Sequence, residues 1–157
     1  MEVLILSRAK IEELARDGFA EHTAVISITD AQWSFAKLKH NPEFLLQMAF
    51  DDVDDDIFLD VFGGMPTEDE RAHIERKYYM FSDMQAKQIA EFYLSVKGAA
   101  KVLICQCEHG QSRSAAVAAA IMEYRSKSGI DVFAADGYYP NKRVFRKVLK
   151  ALTDFNL

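Results

Sequence analysis

Leu103 to Ile121 reads LICQCEHGQSRSAAVAAAI, and the fold turns on how this stretch is divided. The apolar run KVLIC, Lys101 to Cys105, has the character of a buried strand. Beyond Arg113 the apolar residues Val117, Ala120, Ile121 and Tyr124 fall at helical spacing. The residues from Cys107 to Arg113 therefore join the end of a strand to the start of a helix, with Gly110 in their midst.

Working outward, the same reading finds strands and helices in alternation. EVLILS from Glu2 is a first strand, and SRAKIEELARDG a helix with Ser7 as its N-cap and Gly18 at its stop. TAVISITD from Thr23 is a β-branched second strand, and FLLQMAF from Phe44 a third that runs into the acidic cluster DDVDDD. TEDE at Thr67 and SDMQ at Ser82 fit the capping-box pattern. After SDMQ, Ile89, Phe92, Tyr93 and Val96 make one buried helical face. A last helix opens near Asn141, with Val144, Val148 and Leu152 inward and Lys142, Arg143, Arg146, Lys147 and Lys150 as an apparent basic face. The stretch from Gly63 to Tyr79 reads as either a helical insertion or a loop. The pattern predicts an α/β domain spanning residues 1–157, with a central, mostly parallel sheet flanked by helices.

Composition narrows the function classes. The chain has 157 residues, enough for one domain with a real core. Half of the residues are hydrophobic and 27% charged, as in ordinary globular proteins. The net charge of −5 offers no general grip on nucleic acid or an anionic membrane, so neither is expected as a partner. No apolar run approaches a bilayer span, and the N-terminal MEVLILSRAK is too soon charged for a signal peptide. Cys105 and Cys107 are the only cysteines, too close in sequence for an unstrained disulfide, and read as thiols of a reducing cytoplasm.

The loop itself suggests a chemistry. Backbone N–H groups at a helix N-terminus lack intrahelical partners, and the helix dipole adds positive potential there. Such a terminus suits phosphate. Gly110 allows a backbone turn that a side chain would obstruct. The planar fork of Arg113 can hold two phosphoryl oxygens at once. The same potential stabilises a thiolate at Cys107. The amides of Glu108, His109, Gly110, Gln111 and Ser112, with Arg113, form the expected phosphate cradle around a sulfur nucleophile.

At these residues the chain resembles the cysteine-based protein tyrosine phosphatases, whose signature is H-C-x-x-G-x-x-R followed by Ser or Thr. Cys107, Gly110, Arg113 and Ser114 match it. The late position of the loop, the strand ending in aspartate in QMAFDD, and YYPNKRVFRKVL near the C-terminus look like the small dual-specificity branch, including bacterial and phage relatives. The chain departs from the signature at Gln106, where the family has histidine. The distance from the aspartates to Cys107 is also longer than usual, the added length lying between Asp54 and Phe81.

The resemblance implies a phosphomonoester hydrolase that works through a phosphocysteine, needs no metal or cofactor, and acts on a phosphorylated protein or peptide. Cys107 would be the nucleophile and Arg113 the phosphoryl clamp, with Ser114 hydrogen-bonding the sulfur. A general acid must protonate the leaving oxygen. Asp51 and Asp52 are the candidates, and strand alternation, with Met48 and Phe50 on the same side, favours Asp52. Asp54 to Asp56 read as a solvated loop, and D-x-D-x-D there lacks the glycine and glutamate of a calcium loop. His109 reads as exposed, Glu108 as solvated or paired with a cation, and Trp33 and the tyrosines as packing residues. Cys105 reads as a core residue, with a resolving thiol for oxidised Cys107 as the sharper alternative. The rival functions are a phospho-binding pseudophosphatase, motivated by Gln106, and a phosphatase of phosphoinositides or RNA 5′-phosphates. A rhodanese-like sulfur carrier is disfavoured by the Cys, Gly, Arg and Ser spacing.

Overall fold

All the described strands run parallel, so their C-terminal ends gather along one edge of the sheet. The computed structural model describes residues 1–156. Its sheet contains β1 (Glu2–Leu6), β2 (Thr23–Thr29), β3 (Phe44–Ala49) and β4 (Val102–Gln106), in the order β1-β4-β2-β3. β4 pairs with β1 and β2 at once, so that Gln106 lies level with Leu6 on one side and Ser27 on the other. The central strand β2 is buried along its whole length, which accounts for its unbroken β-branched and apolar character. Because every strand points the same way, Ser7, Asp30, Phe50 and Cys107 all emerge at one edge of the sheet, where open parallel sheets hold their ligands.

Helices cover both faces. α1 (Arg8–Asp17) places Ile11 against Val25 and Ile104 on one side. On the other side, α4 (Asp83–Val96), α5 (Arg113–Ser126) and α7 (Lys142–Asp154) enclose the main core with Ile26, Ile28, Leu103 and Cys105. α5 is buried on all sides from Arg113 to Ile121. Its run of alanines permits that close approach, since each side chain demands little space. The caps sit where their short-range patterns place them. Ser7 accepts from Lys10 N, Asn141 accepts from Val144 N, and the capping boxes Thr67–Glu70 and Ser82–Gln85 are complete.

The added length before α4 is helical. α2 (Asp56–Phe62) stops at Gly63, whose φ of 68° closes the helix in the left-handed region, and α3 (Glu68–Lys77) follows. Phe58, Ile74 and Met80 form a small core of their own, separate from the main one. A further short helix, α6 (Ile130–Ala134), buries only Val132 and is too brief to leave a periodic signal in the sequence. Among the described residues no helix is long and apolar enough to cross a membrane.

Candidate active site

Cys107 lies at the mouth of β4 and is nearly buried, with 2% of its surface exposed. The loop that follows is pinned from behind. Cys107 N donates to Leu6 O at 3.3 Å, and Arg8 N donates to Glu108 O at 3.1 Å. Gly110 adopts φ of +67° and presses on the junction of β1 and α1. A Cβ there would lie 2.7 Å from Ser7 N and 2.8 Å from Leu6 C, so both the turn and the space require glycine. The Glu108 carboxylate turns away to pair with Arg8 Nε at 2.6 Å, and Arg8 Nη2 donates to Thr29 Oγ1 and Ser34 O. Of the two readings of Glu108, solvated or paired, the structure shows the paired one.

Gln106, standing where the resemblance leads one to expect histidine, is fully buried. Its Oε1 accepts from Ser27 Oγ at 2.5 Å and its Nε2 donates to Cys107 O at 2.9 Å. A neutral amide thus fixes the backbone at Cys107. Cys107 Sγ and Ser114 Oγ lie 3.0 Å apart. On the outer side, Tyr139 N donates to Gln111 O and Asn141 N to Ser112 O, so the approach to α7 holds the second half of the loop. Among the described residues, no protein acceptor takes the N–H of Glu108, His109, Gly110, Gln111 or Ser112. His109 and Gln111 are exposed.

The Arg113 side chain is 5% exposed and anchored along one edge. Nη1 donates to Phe50 O at 2.7 Å and pairs with Asp30 Oδ1 at 2.6 Å. Nε is buried and has no hydrogen-bond partner among the described residues. Sequence reasoning misses Asp30. The available signal is its position: it is the first residue past β2, at the edge where every strand end gathers.

The two candidate acids part company. Asp52 is exposed, and its Oδ1 accepts from Ser112 Oγ at 2.8 Å and from Asn141 Nδ2 at 2.9 Å. Asp51 Oδ1 instead accepts from Ala31 N at 2.9 Å. The structure brings Asp52 together with the loop and uses Asp51 to hold the turn after β2.

Three expectations need correction. Asp54 and Asp55 are engaged in contacts: Asp54 accepts from Lys142 N and Arg143 N at the start of α7, and Asp55 pairs with Arg143 and Arg146 at 2.7 Å each. A helix N-terminus attracts carboxylates, and Asp54 meets it. The basic face of α7 is largely neutralised. Arg143 is buried, with Nε donating to Phe81 O, Nη1 to Asp55 and Nη2 to Glu75, while Lys147 pairs with Asp83 and Lys150 with Asp154. Trp33 and Tyr139, read as packing residues, are 58% and 73% exposed, and Tyr79 is 46% exposed with its hydroxyl accepting from Gln32. Cys105 lies in the main core, where burial, and then the neighbouring Cys107, push its thiol well above the ordinary range.

No protein-family model matches the chain, and no curated protein sequence does. Solved structures do. PTPMT1 in complex with PI(5)P superposes with a TM-score of 0.51 at 13% identity, covering 99% of this chain and 92% of that one. A variant of human DUSP28 superposes with a TM-score of 0.50 at 21% identity, covering 98% of this chain and 91% of that one. The chain shares the fold of these two proteins along nearly its whole length.

Proposed function

We propose that the chain is a cysteine-dependent phosphatase that hydrolyses phosphomonoesters through a phosphocysteine. One observation carries this reading: Arg113 Nε is buried and unpartnered among the described residues, at a loop whose amides also lack protein acceptors there. A buried donor without an acceptor costs roughly 1–3 kcal/mol, and native proteins rarely leave one so. Phosphoryl oxygens accept from the fork and the amides together, in the geometry that guanidinium prefers.

The Cys107 thiolate attacks phosphorus in line with the leaving oxygen. As the S–P bond forms and the P–O bond breaks, loop amides and Arg113 hold the charge on the equatorial oxygens. Asp30 and Phe50 O keep the guanidinium in place. Asp52 gives its proton to the leaving oxygen. Water then attacks the phosphocysteine, Asp52 takes the proton, and sulfur leaves as thiolate with Ser114 Oγ donating to it. Charge neutralisation comes from protein groups throughout, so no step calls for a metal ion.

A phosphorylated protein or peptide of the reducing cytoplasm is the substrate class this reading favours. The loop contacts phosphate alone, which suits both aryl and alkyl esters. The test is hydrolysis of para-nitrophenyl phosphate with and without chelator, alongside Cys107→Ser. Chelator-resistant turnover by wild type is expected. The serine variant should lose at least about 10³-fold in kcat, because a hydroxyl does not ionise at neutral pH, yet still bind vanadate by calorimetry. Vanadate binding without wild-type turnover would favour a pseudophosphatase, and turnover by the serine variant would exclude the phosphocysteine.

A further inference from the structure

We infer that a second anion site lies at the edge of the sheet opposite Cys107, holding the phosphate of a small phosphorylated molecule between Lys97, Arg125 and the hydroxyl of Tyr93. The strands begin at that edge, and the C-terminal ends of α4 and α5 meet there beside Met1. Lys97 caps α4, and Arg125 lies in the last turn of α5. Together with Met1, Tyr93, Tyr124 and Asn156 they line a cleft of about 610 Å³. Small-molecule sites commonly have this volume.

Tyr93 is the observation that points to a ligand. It is 2% exposed, and its ring packs edge-on against that of Tyr124 at 6.2 Å. Its hydroxyl nevertheless has no hydrogen-bond partner among the described residues. Among those residues, Arg113 Nε is the only side-chain N or O atom both sealed from solvent and unpartnered. The Tyr93 hydroxyl therefore opens into the cleft that its residue lines. A phenol in so closed a setting ordinarily finds an acceptor. Burial raises its pKa against the pull of Arg125, so it stays protonated and able to donate. The Tyr124 hydroxyl accepts from Asn156 Nδ2 and keeps its own proton to give.

The two cations are not consumed by the fold. Arg125 Nη1 donates to Met1 O at 2.5 Å, which orients the guanidinium and leaves the rest of its fork to face the cleft. The helix ends do not need these charges, because backbone amides cap them. Lys97 N donates to Tyr93 O, Ala99 N and Ala100 N to Val96 O, and Lys127 N to Glu123 O. No carboxylate among the described residues lines the cleft. Alternation along β1 sends Met1, Val3 and Ile5 to this face and Leu4 and Leu6 to the other, which puts Glu2 on the α1 side. Glu91 pairs with Lys87, and Glu123 accepts from Gly129 N. A planar guanidinium, an ammonium and a phenol suit the several oxygens and double charge of a phosphate monoester. The site is independent of the phosphatase reading of Cys107.

The six tyrosines supply a readout that separates this cleft from the catalytic loop. The full chain, with isotope-labelled tyrosine rings, would be titrated with inorganic pyrophosphate and followed by NMR. Tyr93 and Tyr124 report on the cleft, whereas Tyr139, whose amide holds Gln111 O, reports on the loop. Saturable shifts of the Tyr93 and Tyr124 rings are expected. Lys97→Ala and Arg125→Ala should each weaken the apparent affinity by at least about tenfold. Tyr93→Phe, read at Tyr124, should weaken it by about three- to tenfold. Lys97 is exposed, so Lys97→Ala should keep the wild-type thermal midpoint and carries the test even if loss of the Arg125 contact with Met1 disturbs the edge. Rings that do not shift in the wild type, or that shift equally with sodium chloride at matched ionic strength, overturn the site. An affinity unchanged in both Lys97→Ala and Tyr93→Phe overturns it as well. Neither result touches the phosphatase reading, which stands or falls on turnover and on Cys107→Ser.

Discussion

Gly110→Ala is a single added methyl group whose effect can be worked out from the backbone. Alanine at φ of +67° must occupy the left-handed region, at roughly 1–2 kcal/mol. The new Cβ would also stand 2.7 Å from Ser7 N, 2.8 Å from Leu6 C and 3.0 Å from Leu6 O, where ordinary contact begins at 3.4 Å. These are main-chain atoms at the end of a strand, so no flexible side chain can swing aside. Relief comes only from lifting the loop off β1, which strains the bonds Cys107 N to Leu6 O and Arg8 N to Glu108 O. Overpacking of this kind costs about 1–3 kcal/mol. The two contributions together come to about 2–5 kcal/mol, a large part of a typical domain's stability. A displacement of the loop by about 1 Å should also lower kcat/KM by about 10²-fold. Urea unfolding and steady-state kinetics on para-nitrophenyl phosphate measure the two effects. An alanine variant within about 0.5 kcal/mol of wild type, and with full activity, would refute the close packing of loop on strand.

Arg113→Lys should lose at least about 10²-fold in kcat/KM despite retaining the charge, since an ammonium cannot span two oxygens in one plane; near-normal rates would show that the guanidinium does not clamp the phosphoryl group. Arg143→Met leaves Asp55, Glu75 and Phe81 O without their shared donor and should cost about 2–3 kcal/mol, below the figure for fully buried pairs because both carboxylates are about a third exposed. Limited proteolysis of that variant should cut first between Asp56 and Lys77, and an unchanged cleavage pattern would argue against the tether. In the native protein iodoacetamide should modify Cys107 and spare Cys105, with both modified in urea; equal native rates would contradict the burial of Cys105. Because the fold raises the Cys105 thiol, its contribution to stability is present below the ordinary thiol range. It is lost as pH rises beyond that range, where only the unfolded chain releases the proton. Urea midpoints measured between pH 8 and 10 test the sign.

The legible parts of the molecule are those in which chemistry and spacing are local. Cys107 and Gly110 in the loop and Arg113 and Ser114 in the first turn of α5 are neighbours in sequence, so their order in the chain is enough to suggest an anion cradle. The caps at Ser7, Thr67, Ser82 and Asn141 are short-range patterns, and the composition of β2 marks it as a buried strand. Long-range partnerships are hidden. Nothing near Asp30 in sequence indicates that its carboxylate meets Arg113. Arg143 lies beside Val144 on a helix rich in cations, and helical periodicity alone does not distinguish an inward arginine from its solvated neighbours. Its acceptors come from Asp55, Glu75 and Phe81, which converge only in the folded chain. Asp54 resembles one more exposed acid because the helix end that it caps is contributed by α7. Alternation along β3 does separate Asp52 from Asp51, although the contacts with Ser112 and Asn141 require the fold.

The way α2 and α3 are attached has an evolutionary consequence. The excursion departs at Asp55 and returns at Phe81, and both ends are gripped by one guanidinium, that of Arg143. Asp54, just before the departure point, is fastened to the start of α7. Between these posts the excursion meets the acidic segment at its end, where Tyr79 O accepts from Asp51 N at 2.9 Å. Ahead of Tyr79, chain length is free to drift by insertion or deletion while the posts at Asp55 and Phe81 stay where they are. Spacing from acid to thiol would then be a poor guide when relatives of this chain are sought, and the arginine that staples the excursion a better one.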